Sequence, residues 1–156
     1  MSVQVKSTGR QTMDFPSDTS VQVDLPAVAA DTALPDVVVS GIPTGAVLDR
    51  VVPWFKCRAI RNTNVGGTNG LIGDQVIQVK KAGGAWVTAI DLKDNQWLLA
   101  ASANEAGDVL KGDNDLKATV DGDGTYNFQF ASALVDLAVL RLNGVLVGLT
   151  FFFKTS

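Results

Sequence analysis

The residues best equipped for chemistry in this chain are its acids, and their surroundings limit what they can do. Asp121-Gly122-Asp123-Gly124 sets two carboxylates among glycines, as at the start of a calcium loop. A complete loop of that kind needs further oxygen ligands and a Glu at its twelfth position, and Ser132 stands there instead. The stretch therefore reads as a hairpin turn, with Asp121 and Asp123 as secondary metal candidates. Gly107-Asp108 and Asp113-Asn114-Asp115 are close in sequence, which leaves open a surface Ca2+ site shared among loops.

The chain contains no histidine. That removes His-assisted nucleophiles and His-based metal sites. Cys57 lies between Phe55 and Ala59 on the apolar face of a predicted strand and reads as an inert core thiol. Aspartates occupy almost every predicted turn, so no acid–base pair can be assigned. The glycines at 66, 67, 70 and 73 do not lead from a strand into a helix, which argues against a phosphate loop. We therefore expect no enzyme, no catalytic residue and no cofactor.

Two surface-type patterns remain. Lys56, Arg58 and Arg61, with Arg50 before them, make a basic strip that reads as a solvated or interface face rather than a nucleic-acid site. Trp54, Trp86 and Trp97 read as core or subunit-interface residues, with a sugar-binding face as the alternative.

The elements that must position these residues are strands. Length, at 156 residues, allows one domain with a real core. Hydrophobic residues make up 46% and charged residues 19%, a globular balance. Glu105 is the single Glu against fifteen Asp, and Asp favours turns and caps where Glu favours helix interiors. The net charge of −3 and a pI near 4.7 argue against broad attraction to nucleic acid or an anionic membrane. Neither a secretory signal nor a membrane-spanning stretch is expected. One cysteine excludes an internal disulfide, which suits folding in a reducing cytosol.

Residues 1–19 read as an N-terminal arm or edge segment, and 20–156 as the β domain. Ser20 to Leu25 alternates and is ended by Pro26. Asp36 to Ser40 is a strand closed by a Gly-rich turn. Ala46 to Asn62 is the longest candidate strand, with Pro53 predicting a bulge or bend. Thr63 to Gly73 reads as a flexible loop. Gln75 to Lys80 and Ala85 to Asp91 form a hairpin about Gly83-Gly84. Lys93 to Ala106 fits a helix capped by Asp94 or Asn95 or, equally, a strand at Trp97 to Ala101. Leu116, Ala118 and Val120 read as a strand hairpinned to Tyr126, Phe128 and Phe130. Asn143-Gly144 predicts a tight turn into the last strand.

That last stretch, Val145 to Lys154, is the longest apolar run. Val145, Val147, Leu149, Phe151 and Phe153 share one face, and Leu146, Gly148, Thr150 and Phe152 share the other. Large residues on both faces call for cover on both, so it reads as a central strand. Val145, Val147, Phe151, Phe152, Phe153 and Trp54 are the candidates for an oligomer interface. Strands recurring every eight to twelve residues predict an all-β, single-domain β-sandwich, jelly-roll-like, of about eight strands.

The segments Ile42 to Asn62, Gln75-Val-Ile-Gln-Val-Lys, Gly107-Asp-Val-Leu-Lys-Gly-Asp, Gly124-Thr-Tyr-Asn-Phe-Gln-Phe and Gly144-Val-Leu-Val-Gly-Leu together carry a resemblance. The chain resembles small phage and viral virion proteins of the capsid-associated, jelly-roll-like kind. The resemblance spans roughly residues 36 to 153. It implies a decoration or minor capsid component, made in the host cytoplasm and placed on the virion. Its partners would be other virion proteins and copies of itself, a trimer preferred, with no nucleic acid or membrane partner. It carries no catalytic residues across. A mean hydropathy of +0.19, high for a soluble monomer, is compatible with such assembly. A carbohydrate- or Ca2+-binding β-sandwich module is the alternative.

Overall fold

The computed structural model describes residues 11–25, 30–63, 70–72, 75–91, 97–99, 104–106, 109–112, 114–132 and 140–154. They form fourteen strands: β1 Gln11–Pro16, β2 Val21–Leu25, β3 Thr32–Ala33, β4 Val37–Val39, β5 Val47–Lys56, β6 Ala59–Asn62, β7 Gly70–Ile72, β8 Gln75–Lys81, β9 Val87–Asp91, β10 Trp97–Leu99, β11 Asn104–Ala106, β12 Val109–Lys111, β13 Gly124–Ser132 and β14 Leu140–Lys154. Several are only two to four residues long, which is why the strand count exceeds the eight expected from spacing.

The large sheet is built around β14. One edge of this strand pairs first with β6 and then with β5; the other pairs first with β2 and then with β1. All four pairings are antiparallel, and β12 and β11 extend the sheet beyond β5 and β6. The smaller sheet centres on β13, with β3 and β4 on one edge and β8 followed by β9 on the other. A separate pair joins β7 to β10.

The two sheets stack as a sandwich. Val51, Phe55, Val145, Val147, Leu149 and Phe151 from the large sheet are fully buried against Ile77, Val79, Tyr126, Phe128 and Phe130 from the smaller one. The Phe55 and Phe130 rings meet edge-on across the layers, 5.7 Å between centroids. Burying each such side chain stabilises the fold by about 1.5–3 kcal/mol. The expected all-β sandwich is what the strands form, and the last strand is central in its sheet, paired on both edges; of its two apolar faces only the Val145–Phe153 face is buried by this chain.

Several local expectations are corrected. Asn143-Gly144 does not reverse the chain: β14 runs through it with a register shift between Leu142 and Val145. Gly144 takes φ 65°, and a Cβ there would lie 2.9 Å from Arg58 Cβ. The bulge faces the break between β5 and β6, where Arg58 N donates to Asn143 O at 2.7 Å. Both strands thus bend at the same point.

Leu116 to Val120 is not a strand. Val120 N donates to Leu116 O at 2.7 Å, closing one helical turn that buries both side chains. Leu116 and Val120 are four residues apart, a spacing shared by alternation and by a helical turn. Asp115 selects the turn, its Oδ1 accepting from Lys117 N at 3.0 Å and from Val51 N at 3.1 Å. The hairpin expected between this stretch and Tyr126–Phe130 is therefore absent; β13 pairs with β8.

Pro53 sits in unbroken register opposite Leu149, and the bulge in this pairing falls at Arg50–Leu48 instead. Its carbonyl accepts from Gly112 N at 3.0 Å, so the position where its N–H would be also points away from β14. The missing donor thus faces the point where β12 has already ended.

Of the helix-or-strand alternatives for Lys93 to Ala106, the described parts are strands, β10 and β11. The proposed caps Asp94 and Asn95 lie outside the described residues, as do most of the Thr63–Gly73 loop and the first ten residues of the arm. From residue 11 onward the arm is part of the sheet. Ser17 N donates to Val147 O at 2.8 Å and Val147 N donates to Ser17 Oγ at 3.2 Å, which fastens the end of β1 to β14.

Candidate interaction face

Strand pairing fixes which side chains meet on the outer face of the large sheet. Antiparallel register sets Thr12, Phe152 and Arg50 in one row, and Asp14, Thr150 and Val52 in the next. Pro16, Gly148, Trp54 and Lys111 make the third row; Leu146, Lys56 and Val109 make the fourth. Trp54, Val52, Leu146 and Phe152 are half-buried, and Val109 and Val47 are 59% and 55% exposed.

Trp54 organises this face. Its indole lies across Gly148, where a Cβ would come within 2.1 Å of the ring. Its Nε1 donates to Asp14 Oδ1 at 2.8 Å, reaching over β14 to β1. Thr150 Oγ1 donates to the same oxygen at 3.0 Å. The other aromatic is held by a cation, with Arg50 Cζ 4.5 Å above the Phe152 ring. Lys56 Nζ stands 5.9 Å from the Trp54 ring centre. Arg50, Lys56, Lys111 and Lys154 are all exposed here, and Asp14 is the carboxylate among them. Across the sandwich, the outer face of the smaller sheet is mixed: Gln129 Nε2 donates to Gln78 Oε1 at 2.7 Å and Asn127 Nδ2 to Asp36 Oδ1 at 2.9 Å, while Val38 is 54% exposed and Lys80 covers Trp86.

The proposed interface residues divide accordingly. Val145, Val147, Phe151 and Phe153 belong to the chain's own core, between 0% and 5% exposed, so no neighbour can reach them. Phe152 and Trp54 lie on the outer face. Alternation along β14 separates the two groups, and the pairing with β5 brings Trp54 to the outward set. Asp14, Thr150 and Gly148 complete the arrangement, and their role is invisible without the register of β1 and β5 against β14.

Contacts within the chain hold the Asp121–Gly124 turn. Asp121 Oδ1 bonds Lys81 Nζ at 2.9 Å, and Asp123 Oδ1 accepts from Ile42 N at 3.4 Å. The Lys81 contact holds the Asp121 carboxyl below its usual range and the Lys81 ammonium above its own. Tyr126 OH donates to Gly122 O at 2.7 Å, and burial of the phenol raises its pKa. Among the described residues no group of three or more Cys, Asp or Glu is placed to hold a metal ion. Asp108 and Asp113 of the possible shared site lie outside them. Cys57 is buried, on the core side. Trp86 belongs to the smaller sheet's hairpin, with Lys80 Nζ 4.8 Å over its ring, so it forms no row with Trp54. No described helix is long and apolar enough to cross a membrane.

No protein-family model matches the chain, and no curated protein matches it. Among solved structures it is similar to one described as the structure of infectious bursal disease virus Gx strain. Identity is 7% and the TM-score 0.36, over 94% of this chain and 37% of that one, so the chain spans little more than a third of its neighbour's length. The class of the protein rests on its own sheets: an antiparallel β-sandwich whose large sheet carries an aromatic, cationic outer face.

Proposed function

We propose that this chain is a non-enzymatic structural protein of a virion, a capsid decoration or minor capsid component, that acts by assembling with copies of itself. The observation that carries the reading is the cluster of half-buried apolar side chains on the large sheet's outer face. Trp54, Phe152, Val52 and Leu146 sit on the large sheet's outer face, half-buried by this chain alone. A second subunit would complete their burial, as aromatic and Arg anchors do at the centres of protein interfaces. The resemblance of residues 36 to 153 to capsid-associated proteins supports the virion setting. Cyclic assembly, a trimer preferred, is the expected form. Light scattering on the purified chain tests it: a multiple of 16.4 kDa is expected, and a monomer at high concentration would count against it.

One observation favours a second reading, a carbohydrate-binding module. Trp54 lies over the sheet beside a carboxylate and a hydroxyl, Asp14 and Thr150, a combination that can stack on and hydrogen-bond a sugar. A glycan array without hits would remove it.

A further inference from the structure

Charge is segregated along this chain. From Gln11 to Asp49 there are six aspartates, at 14, 18, 24, 31, 36 and 49, and all thirteen Lys and Arg lie outside that stretch. The fold turns most of this bias into a spatial one, Asp49 on β5 being the exception. β1 and β2 form one edge of the large sheet, and β3 and β4 form one edge of the smaller sheet. β1 packs beside β4 and β2 beside β3, so all four strands lie on one flank of the sandwich. Asp18, Asp31 and Asp36 are exposed there, while Asp24 is paired with Arg141 of β14 at 2.9 Å. The cations of the aromatic face lie toward the opposite flank, on β5 and β12, where β5 also packs beside β9.

We propose that assembly, on the reading given above, is heterologous: the acidic β1–β4 flank of one copy docks on the cationic side of the aromatic face of the next. Asp18, Asp31 and Asp36 face Arg50, Lys56 and Lys111 across this contact. A twofold contact of the face with itself would bring the cationic surface carrying Arg50, Lys56 and Lys111 onto the same surface of a second copy, and like charges brought together oppose association. A surface that complements a different surface of the same molecule repeats head to tail and closes into a ring when the rotation allows. The charge pattern thus favours a head-to-tail contact over a twofold one.

The test is light scattering on the full chain at two ionic strengths, about 0.01 M, where charges act over about 30 Å, and about 1 M, where they act over about 3 Å. The oligomer is expected at low salt, with its mass falling toward 16.4 kDa at high salt. Lys56→Glu with Lys111→Glu should give monomer at low salt, as should Asp31→Lys with Asp36→Lys, each with an unchanged circular dichroism spectrum. Mixing the two double variants should restore association. An oligomer insensitive to salt and to both reversals overturns the heterologous contact and leaves self-assembly standing. A mass of 16.4 kDa at every salt concentration overturns both.

Discussion

The indole of Trp54 occupies the space where a side chain at position 148 would stand. Gly148 is therefore a packing requirement rather than a turn, and the two residues meet because β5 and β14 pair in that register. With its nitrogen bonded to Asp14, Trp54 ties three strands together across the outer face.

Gly148→Ala should force the indole off the sheet and break its bond to Asp14. Overpacking of this kind costs about 1–3 kcal/mol. Denaturant midpoints would show the loss, and tryptophan fluorescence would show a more solvated indole. In a Trp54→Ala background the same change should cost little, since the atoms it collides with are gone. A full penalty in that background would contradict the assignment.

Ser17→Ala should destabilise by about 1–3 kcal/mol, because Val147 N would lose its acceptor in a buried position. Hydrogen exchange should quicken at Val147 before it does in β13, since the change frees the end of β1 and leaves the smaller sheet untouched. Equal acceleration in both sheets would speak against a local fastening.

Parts of this architecture were legible in the sequence. β14 is readable because it is long, rich in β-branched and aromatic residues, and apolar at every second position from Val145 to Phe153, the face that is buried. The β8–β9 hairpin is readable from Gly83, which takes φ 84°, and Gly84. Tyr126, Phe128 and Phe130 reveal a core face by simple alternation. Elsewhere one local signal served two structures. Leu116 and Val120 suit a strand or a helical turn, and Asp115 decides between them through a bond to Val51 that only the tertiary fold supplies. Asn143-Gly144 suits a hairpin or a bulge, and the deciding feature is the β5–β6 break opposite it. The site was legible only in part. Trp54 and Phe152 stand out by type, but Asp14, Gly148 and Thr150 acquire meaning only from the pairing of strands far apart in the chain.

Alkaline pH should expose the role of Tyr126. Burial raises its pKa above the unfolded value near 10, so the neutral phenol is favoured in the folded state. That contribution is fully present below the unfolded pKa and is lost as pH rises through the folded one. Tyr126 is the only tyrosine, so phenolate absorbance reports it directly. Stability should fall above about pH 10 as it ionises. Tyr126→Phe should flatten that part of the profile, while costing about 1 kcal/mol at neutral pH through the lost bond to Gly122 O. An unchanged alkaline profile in the variant would assign the loss elsewhere.

Gly144→Ala should destabilise by about 1–2 kcal/mol, the cost of a left-handed conformation in an L-residue, with the Arg58 contact adding to it. Gly144→Asn should be milder. Equal stability of Gly144→Ala and wild type in denaturant melts would mean that β14 can run straight past the β5–β6 break.

The central claim is that copies of this chain meet on the face carrying Trp54 and Phe152. Size-exclusion chromatography with light scattering on the wild type and on Trp54→Ser tests it most directly. The wild type should run at three times 16.4 kDa and a folded Trp54→Ser at 16.4 kDa. A wild-type mass of 16.4 kDa at high concentration, or an oligomer unaffected by Trp54→Ser, would contradict it.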